Sequence, residues 1–167
     1  MEVFNLYGDE WDDEWGPEGF HRRTTRVGSK LEAAKLGATL YELPAGQKSW
    51  PYHYEYGNEE WLLVVAGTPT LRTAEGEHEL SAGDVVCFAE GPGGAHQVIN
   101  RSHTVARVLI MSTKGTPSVV VYPDSDKLAF WSGAPDDSLV VRRESKVDYW
   151  EGEIPRENPG FSHEPSP

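Results

Sequence analysis

Cysteine is nearly absent from this chain, and so is any long apolar run. The single cysteine, Cys87, excludes an intramolecular disulfide and fits a reducing cytoplasm. Within the apolar run V-V-C-F-A it reads as an inert core position. No stretch approaches the length of a membrane span, and the opening Met-Glu-Val-Phe lacks a signal-peptide pattern, so a cytoplasmic location is expected. Basic residues are also scarce: 15 Lys and Arg stand against 27 Asp and Glu, a formal net charge of −12. Such a surface repels nucleic acid and anionic membranes, and neither is expected as a partner. A helical spacing of apolar residues is missing too, which excludes an α/β fold with crossover helices.

What remains is rich in strand and turn chemistry. At 167 residues and 18.6 kDa the chain suits one domain with its own core. Residues 1–30 read as an arm, because Phe4, Tyr7, Trp11, Trp15 and Phe20 are too aromatic for a disordered tail. Within it, Arg22, Arg23 and Arg26 read as a solvated basic patch. From Ala38 to Tyr122 short apolar runs alternate with turns, among them Pro44-Ala45-Gly46, Gly67-Thr68-Pro69 and Ser81-Ala82-Gly83-Asp84. This pattern predicts an all-β sandwich or barrel over residues 31–122. Residues 123–167 form a C-terminal extension expected to pack on the barrel and to fray towards Pro167.

The chemistry concentrates in Gly46–Gly67. His53 and Glu55 are two apart, so in a strand they share a face. Tyr56-Gly57-Asn58 supplies a turn, and E-W-L-L-V-V-A follows as a buried strand. Pairing of that strand with the first would carry Glu60 back beside His53 and Glu55. His96, after the Gly91-Pro92-Gly93-Gly94 turn, is the best fourth member. Buried carboxylates are costly unless paired or bound to a cation, so His53, Glu55, Glu60 and His96 are expected to hold one divalent ion. His21, His78, His103 and His163 lie in polar contexts and are expected to be exposed. Arg72 and Arg107, in strands, are the candidates to reach inward and hold a substrate anion.

With the strands placed, the residues resemble the cupin superfamily. Glu60 and Gly67 keep the spacing of its first motif, with Gly46 one residue further from His53 than that motif has it. Gly83-Asp84 and His96-Gln97-Val98-Ile99-Asn100 match both ends of its second motif. The resemblance covers residues 46–100 by motif and about 36–122 by strand pattern. It implies a jelly-roll β-barrel with a mononuclear metal inside, often as a homodimer. The aromatic arm, which needs a surface to cover, points to a homodimer as well.

Two departures bear on function. Glu55 stands where the family usually has a second histidine, and the second motif is longer between Phe88 and His96. Two imidazoles and two carboxylates make the site about neutral, where three imidazoles would leave about +1. The harder oxygen ligands favour Mn²⁺, Fe²⁺ or Zn²⁺. A neutral or singly charged oxygenated small molecule is therefore expected in preference to a sugar phosphate. Dioxygenase chemistry and isomerisation of a sugar-like compound both fit such a metalloenzyme. The alternative is a non-catalytic ligand-binding or metal-stabilised module.

Overall fold

Alternating apolar and polar side chains give the chain its strands, because one face of each strand must meet the core. The structure, a computed structural model, describes residues 1–154; His163 and the expected frayed end lie outside the described residues. The strands are β1 (Asp13–Trp15), β2 (Arg22–Thr25), β3 (Leu36–Leu43), β4 (Tyr54–Tyr56), β5 (Glu60–Ala66), β6 (Thr70–Thr73) and β7 (Gly76–Glu79). They continue with β8 (Val85–Phe88), β9 (His96–Ile99), β10 (Ala106–Thr113), β11 (Ser118–Tyr122), β12 (Lys127–Trp131) and β13 (Leu139–Arg142). One helical turn, α1 (Val27–Lys30), joins β2 to β3.

All pairings between these strands are antiparallel, and they form three sheets. The largest runs β1-β2-β3-β10-β5-β8, the second β13-β12-β11-β4 and the third β7-β6-β9. The six-stranded sheet has two apolar faces. Its inner face carries Leu43, Leu62, Val64, Phe88, Val108 and Ile110, which pack with Leu71 and Val98 of the third sheet. Its outer face carries Leu40, Leu63, Val65 and Leu109, covered by Val27 and by Phe4, Leu6 and Trp11 of the arm. Phe4, Leu6 and Trp11 of the arm thus find a surface within their own chain, while Tyr7 and Trp15 stay exposed.

Three particulars differ from the sequence reading. Strands β1 and β2 extend the main sheet, with Thr24 opposite Tyr41 and Arg23 opposite Glu42. Strand β5 does not pair with β4; it lies between β10 and β8, while β4 pairs with β11. Cys87 is exposed. Its strand lies at the sheet edge and alternates, so Val86 and Phe88 face inward while Val85 and Cys87 face out. A short run of apolar letters concealed that alternation.

Candidate metal centre

His53 and His96 meet as a directly opposed antiparallel pair: each backbone N–H donates to the other's carbonyl, at 3.1 and 2.8 Å. Residues in such a pair project to the same side. The tight turn Pro92–Gly94 delivers His96, and it requires glycine at position 94, where a Cβ would stand 1.9 Å from the Ala89 carbonyl oxygen. Gly91 N–H donates to the Glu55 carbonyl at 2.8 Å and ties this turn to β4. Glu60 arrives from the facing layer. It opens β5 on the same side as Leu62 and Val64, and so points inward from the six-stranded sheet.

Glu60 Oε2 lies 3.5 Å from His96 Nε2 and 3.7 Å from His53 Nε2. One ligand atom from each of His53, Glu60 and His96 falls within 4.8 Å of the other two. Donors bound about 2.0–2.2 Å from one ion stand about 3–3.6 Å apart, so the two Glu60–histidine distances are close to that spacing as they stand. Each imidazole is oriented by its other nitrogen: Nδ1 of His53 lies 3.0 Å from the Pro51 carbonyl, and Nδ1 of His96 2.9 Å from that of Gly94. A carbonyl only accepts, so Nδ1 carries the proton and Nε2 offers its lone pair to the cavity. His96 Nε2 is buried and has no hydrogen-bond partner, a cost that a bound cation removes. Phe88 fixes the plane of His96 by stacking flat on it, with centroids 3.6 Å apart.

Burial dominates the electrostatics. It lowers the pKa of His53 to about 4, and that of His96 to about 3 with help from the neighbouring His53. Both rings are therefore neutral ligands at pH 7. Burial, reinforced by the Glu55 carboxylate, raises Glu60 to about 8. Glu55 is also raised by burial, against the pull of its hydrogen bond from Asn58. Without a cation the cavity resists holding two negative charges.

Of the four expected ligands, the structure gathers His53, Glu60 and His96. Glu55 stands beside them, with Oε1 3.9 Å from His53 Nε2 and Oε2 accepting from Asn58 Nδ2 at 2.9 Å. It lines a cavity of about 230 Å³ together with His53, Glu60, Tyr41, Trp50, Tyr122 and Trp131.

The two strand arginines do not line this cavity. Arg72 makes a two-bonded pair with Asp124, at 2.6 and 2.9 Å, and lies over the Tyr52 ring. Arg107 is on the outer face, where it donates to Glu42 at 2.7 Å and to the Gly8 carbonyl at 2.7 Å. The sheet places it there because Arg107 sits opposite Glu42, out of phase with the inward Val108 and Ile110. The cation of the cavity is instead Arg22, from the arm. Its signal was the alternation of Arg22 and Thr24 along one strand, with Thr24 opposite the inward Tyr41. Among the remaining histidines, His78 and His103 are exposed, while His21 is half-buried against Glu14 at 3.2 Å.

Residues 39–112 match the sequence profile of the Cupin domain family. They form a cupin domain. The triad falls inside it, and β2, which carries Arg22, lies before it. A sugar phosphate isomerase of the cupin superfamily from Silicibacter pomeroyi is similar at 27% identity and a TM-score of 0.70, over 74% of this chain and 78% of that one. A candidate sugar phosphate isomerase from Acidithiobacillus ferrooxidans shares the fold, at 22% identity and a TM-score of 0.71, over 78% and 81% of the two chains. The polyketide cyclase RemF from Streptomyces resistomycificus does so at 15% identity and a TM-score of 0.56, over 71% and 83%. No curated protein matches the chain.

Proposed function

We propose that the cupin domain is a metal-dependent isomerase of a small hydroxy-carbonyl compound. The observation that carries this reading is Glu55, a carboxylate beside the triad and outside its closest cluster, facing the same cavity. A divalent ion, Mn²⁺, Fe²⁺ or Zn²⁺, bound by His53, Glu60 and His96 supplies Lewis acidity to adjacent substrate oxygens. Glu55 is held by Asn58, and burial raises its pKa, which makes it a stronger base than a free carboxylate. Its carboxylate removes the proton from the hydroxyl-bearing carbon and returns it to the neighbouring carbonyl carbon. The hydroxyl proton passes to the former carbonyl oxygen, so atoms balance and no oxidant is consumed. Trp50, Tyr122 and Trp131 supply apolar walls that limit water around the reacting carbons. The isomerase named for the Silicibacter pomeroyi protein, at 27% identity, supports the same reading.

The test is Glu55→Gln, assayed with short aldoses and ketoses in D₂O. Wild type loaded with metal should interconvert a pair and place deuterium on carbon, while the variant keeps its metal and loses about 10²–10⁴-fold in rate. The sequence reading assigned Glu55 as a fourth ligand, and in that case the variant would lose metal along with turnover. Turnover that requires O₂, or none with any hydroxy-carbonyl compound, would contradict the isomerase reading.

A further inference from the structure

Among the described residues three buried side-chain polar atoms have no partner: His96 Nε2, Arg22 Nε and Trp50 Nε1. The first belongs to the triad. The other two are N–H donors on side chains that line the same cavity. Nothing in the metal centre uses them, and an unpaired buried donor is costly enough to require an account.

The acids around the arm do not satisfy Arg22. Its neighbour Arg23 lies 3.2 Å from Glu14, 3.2 Å from Glu42 and 3.6 Å from Asp9. His21 takes the other oxygen of Glu14. Arg22 donates from one terminal nitrogen to the Phe20 carbonyl at 3.0 Å, and no carboxylate pairs with it among the described residues. Strand geometry explains the division. Arg23, opposite Glu42, faces outward, whereas Arg22 shares the side of Thr24, opposite the inward Tyr41. The sheet therefore points one arginine at acids and its neighbour into the cavity.

Trp50 is held in place by edge contacts to Tyr41, His53 and His96, with ring centroids 5.0–6.0 Å apart. An adjoining hollow lined by Trp15, Pro17 and Phe20 shares Arg22, Trp50 and Pro51 with the main cavity. Arg22 and Trp50 thus border both hollows, and a group held by these side chains has room to extend away from the triad.

We infer that Arg22 and Trp50 form an oxyanion-binding subsite, and that the substrate carries one carboxylate or phosphate group held there. This rests on the proposed isomerase for the identity of the bound molecule, and it names that molecule's class: a hydroxy-carbonyl compound with one oxyanionic end. A guanidinium N–H and an indole N–H are both obligate donors, and an oxyanion offers only acceptors to them. The arm then contributes a binding residue that lies outside the matched cupin domain.

Titration of the full-length, chelator-treated protein with inorganic phosphate and, separately, with glycolate tests this without the metal. The readout is the indole N–H resonance of Trp50, assigned by its loss in Trp50→Phe. A saturable shift with at least one anion is expected, weakened at least tenfold in Arg22→Gln and by a smaller factor in Arg22→Lys. The anion that binds more tightly distinguishes a phosphorylated substrate from a carboxylate one. No saturable shift with either anion in wild type, or equal affinity in Arg22→Gln, would overturn the subsite. Metal binding by Arg22→Gln, measured in parallel, is expected to be unchanged and reports that the variant is folded. Failure of wild type to bind metal would count against the isomerase reading alone.

Discussion

A carboxyl group with a pKa near 8 beside two imidazoles that stay neutral down to about pH 4 makes metal uptake a proton-releasing event. At pH 7 Glu60 holds a proton in the metal-free chain and must give it up to become a ligand. Calorimetry in two buffers of different ionisation enthalpy should report about one proton released per ion, from Glu60. Apparent affinity should rise with pH up to about 8 and level off beyond it. The same group acts on stability. Below its ordinary value of 4.5 Glu60 is protonated both folded and unfolded, and nothing is lost. As pH rises from there towards 8 the unfolded chain gives up the proton first, so the metal-free fold weakens. The histidines oppose this at the acid side: their contribution is full above 6.5 and is lost as pH falls towards 4 and 3. Glu60→Gln should therefore abolish metal binding and yet raise the melting temperature of the metal-free chain at pH 8 by a few degrees. An unchanged or lower melting temperature would show that the buried charge is relieved some other way.

At the scale of the element, the site depends on two segments meeting by register rather than on one strand. The shared face of His53 and Glu55 and the strand from Glu60 to Gly67 were legible because alternation and turn residues are local properties. The partner of β5 was not, because strand pairing is non-local: Glu60 reaches the histidines across the interior, from the sheet that faces them. The same limit hid Phe88 as the stacking partner of His96, and Arg22 as a lining residue. Both depend on which faces oppose one another. Arg107 was misplaced for a related reason, since nothing in R-V-L-I distinguishes the inward phase from the outward one until Glu42 is seen opposite. The turn before β9 gives this a sharp test. In Gly94→Ala the new methyl would overlap the Ala89 carbonyl, so the turn must open and His96 must move. Metal affinity is expected to fall by at least about tenfold, as displaced ligands lose more than ordered ones, while the circular dichroism of the sheets is retained. Wild-type affinity in that variant would mean that the turn does not set the position of His96.

On the scale of the whole molecule, two apolar faces of one sheet divide the work. The outer face binds the arm through Phe4, Leu6 and Trp11, and the inner face meets the third sheet and borders the cavity. The arm is thereby both a cover and the strand that carries Arg22 inward. That division was legible only in part: the aromatic arm and the strand-rich centre stood out in composition, while the continuation of the main sheet into β1 and β2, and of the second sheet into β12 and β13, did not, since each of these strands is at most five residues long. The central claim is that this fold assembles a metal site from His53, Glu60 and His96. Its most direct test is elemental analysis of the purified protein after incubation with Mn²⁺, Fe²⁺ or Zn²⁺ and removal of unbound ion, beside the double variant His53→Ala/His96→Ala. The account predicts about one divalent ion per wild-type chain and less than about a tenth of that in the double variant. A wild-type chain that retains no ion, or a variant that retains as much, would contradict it.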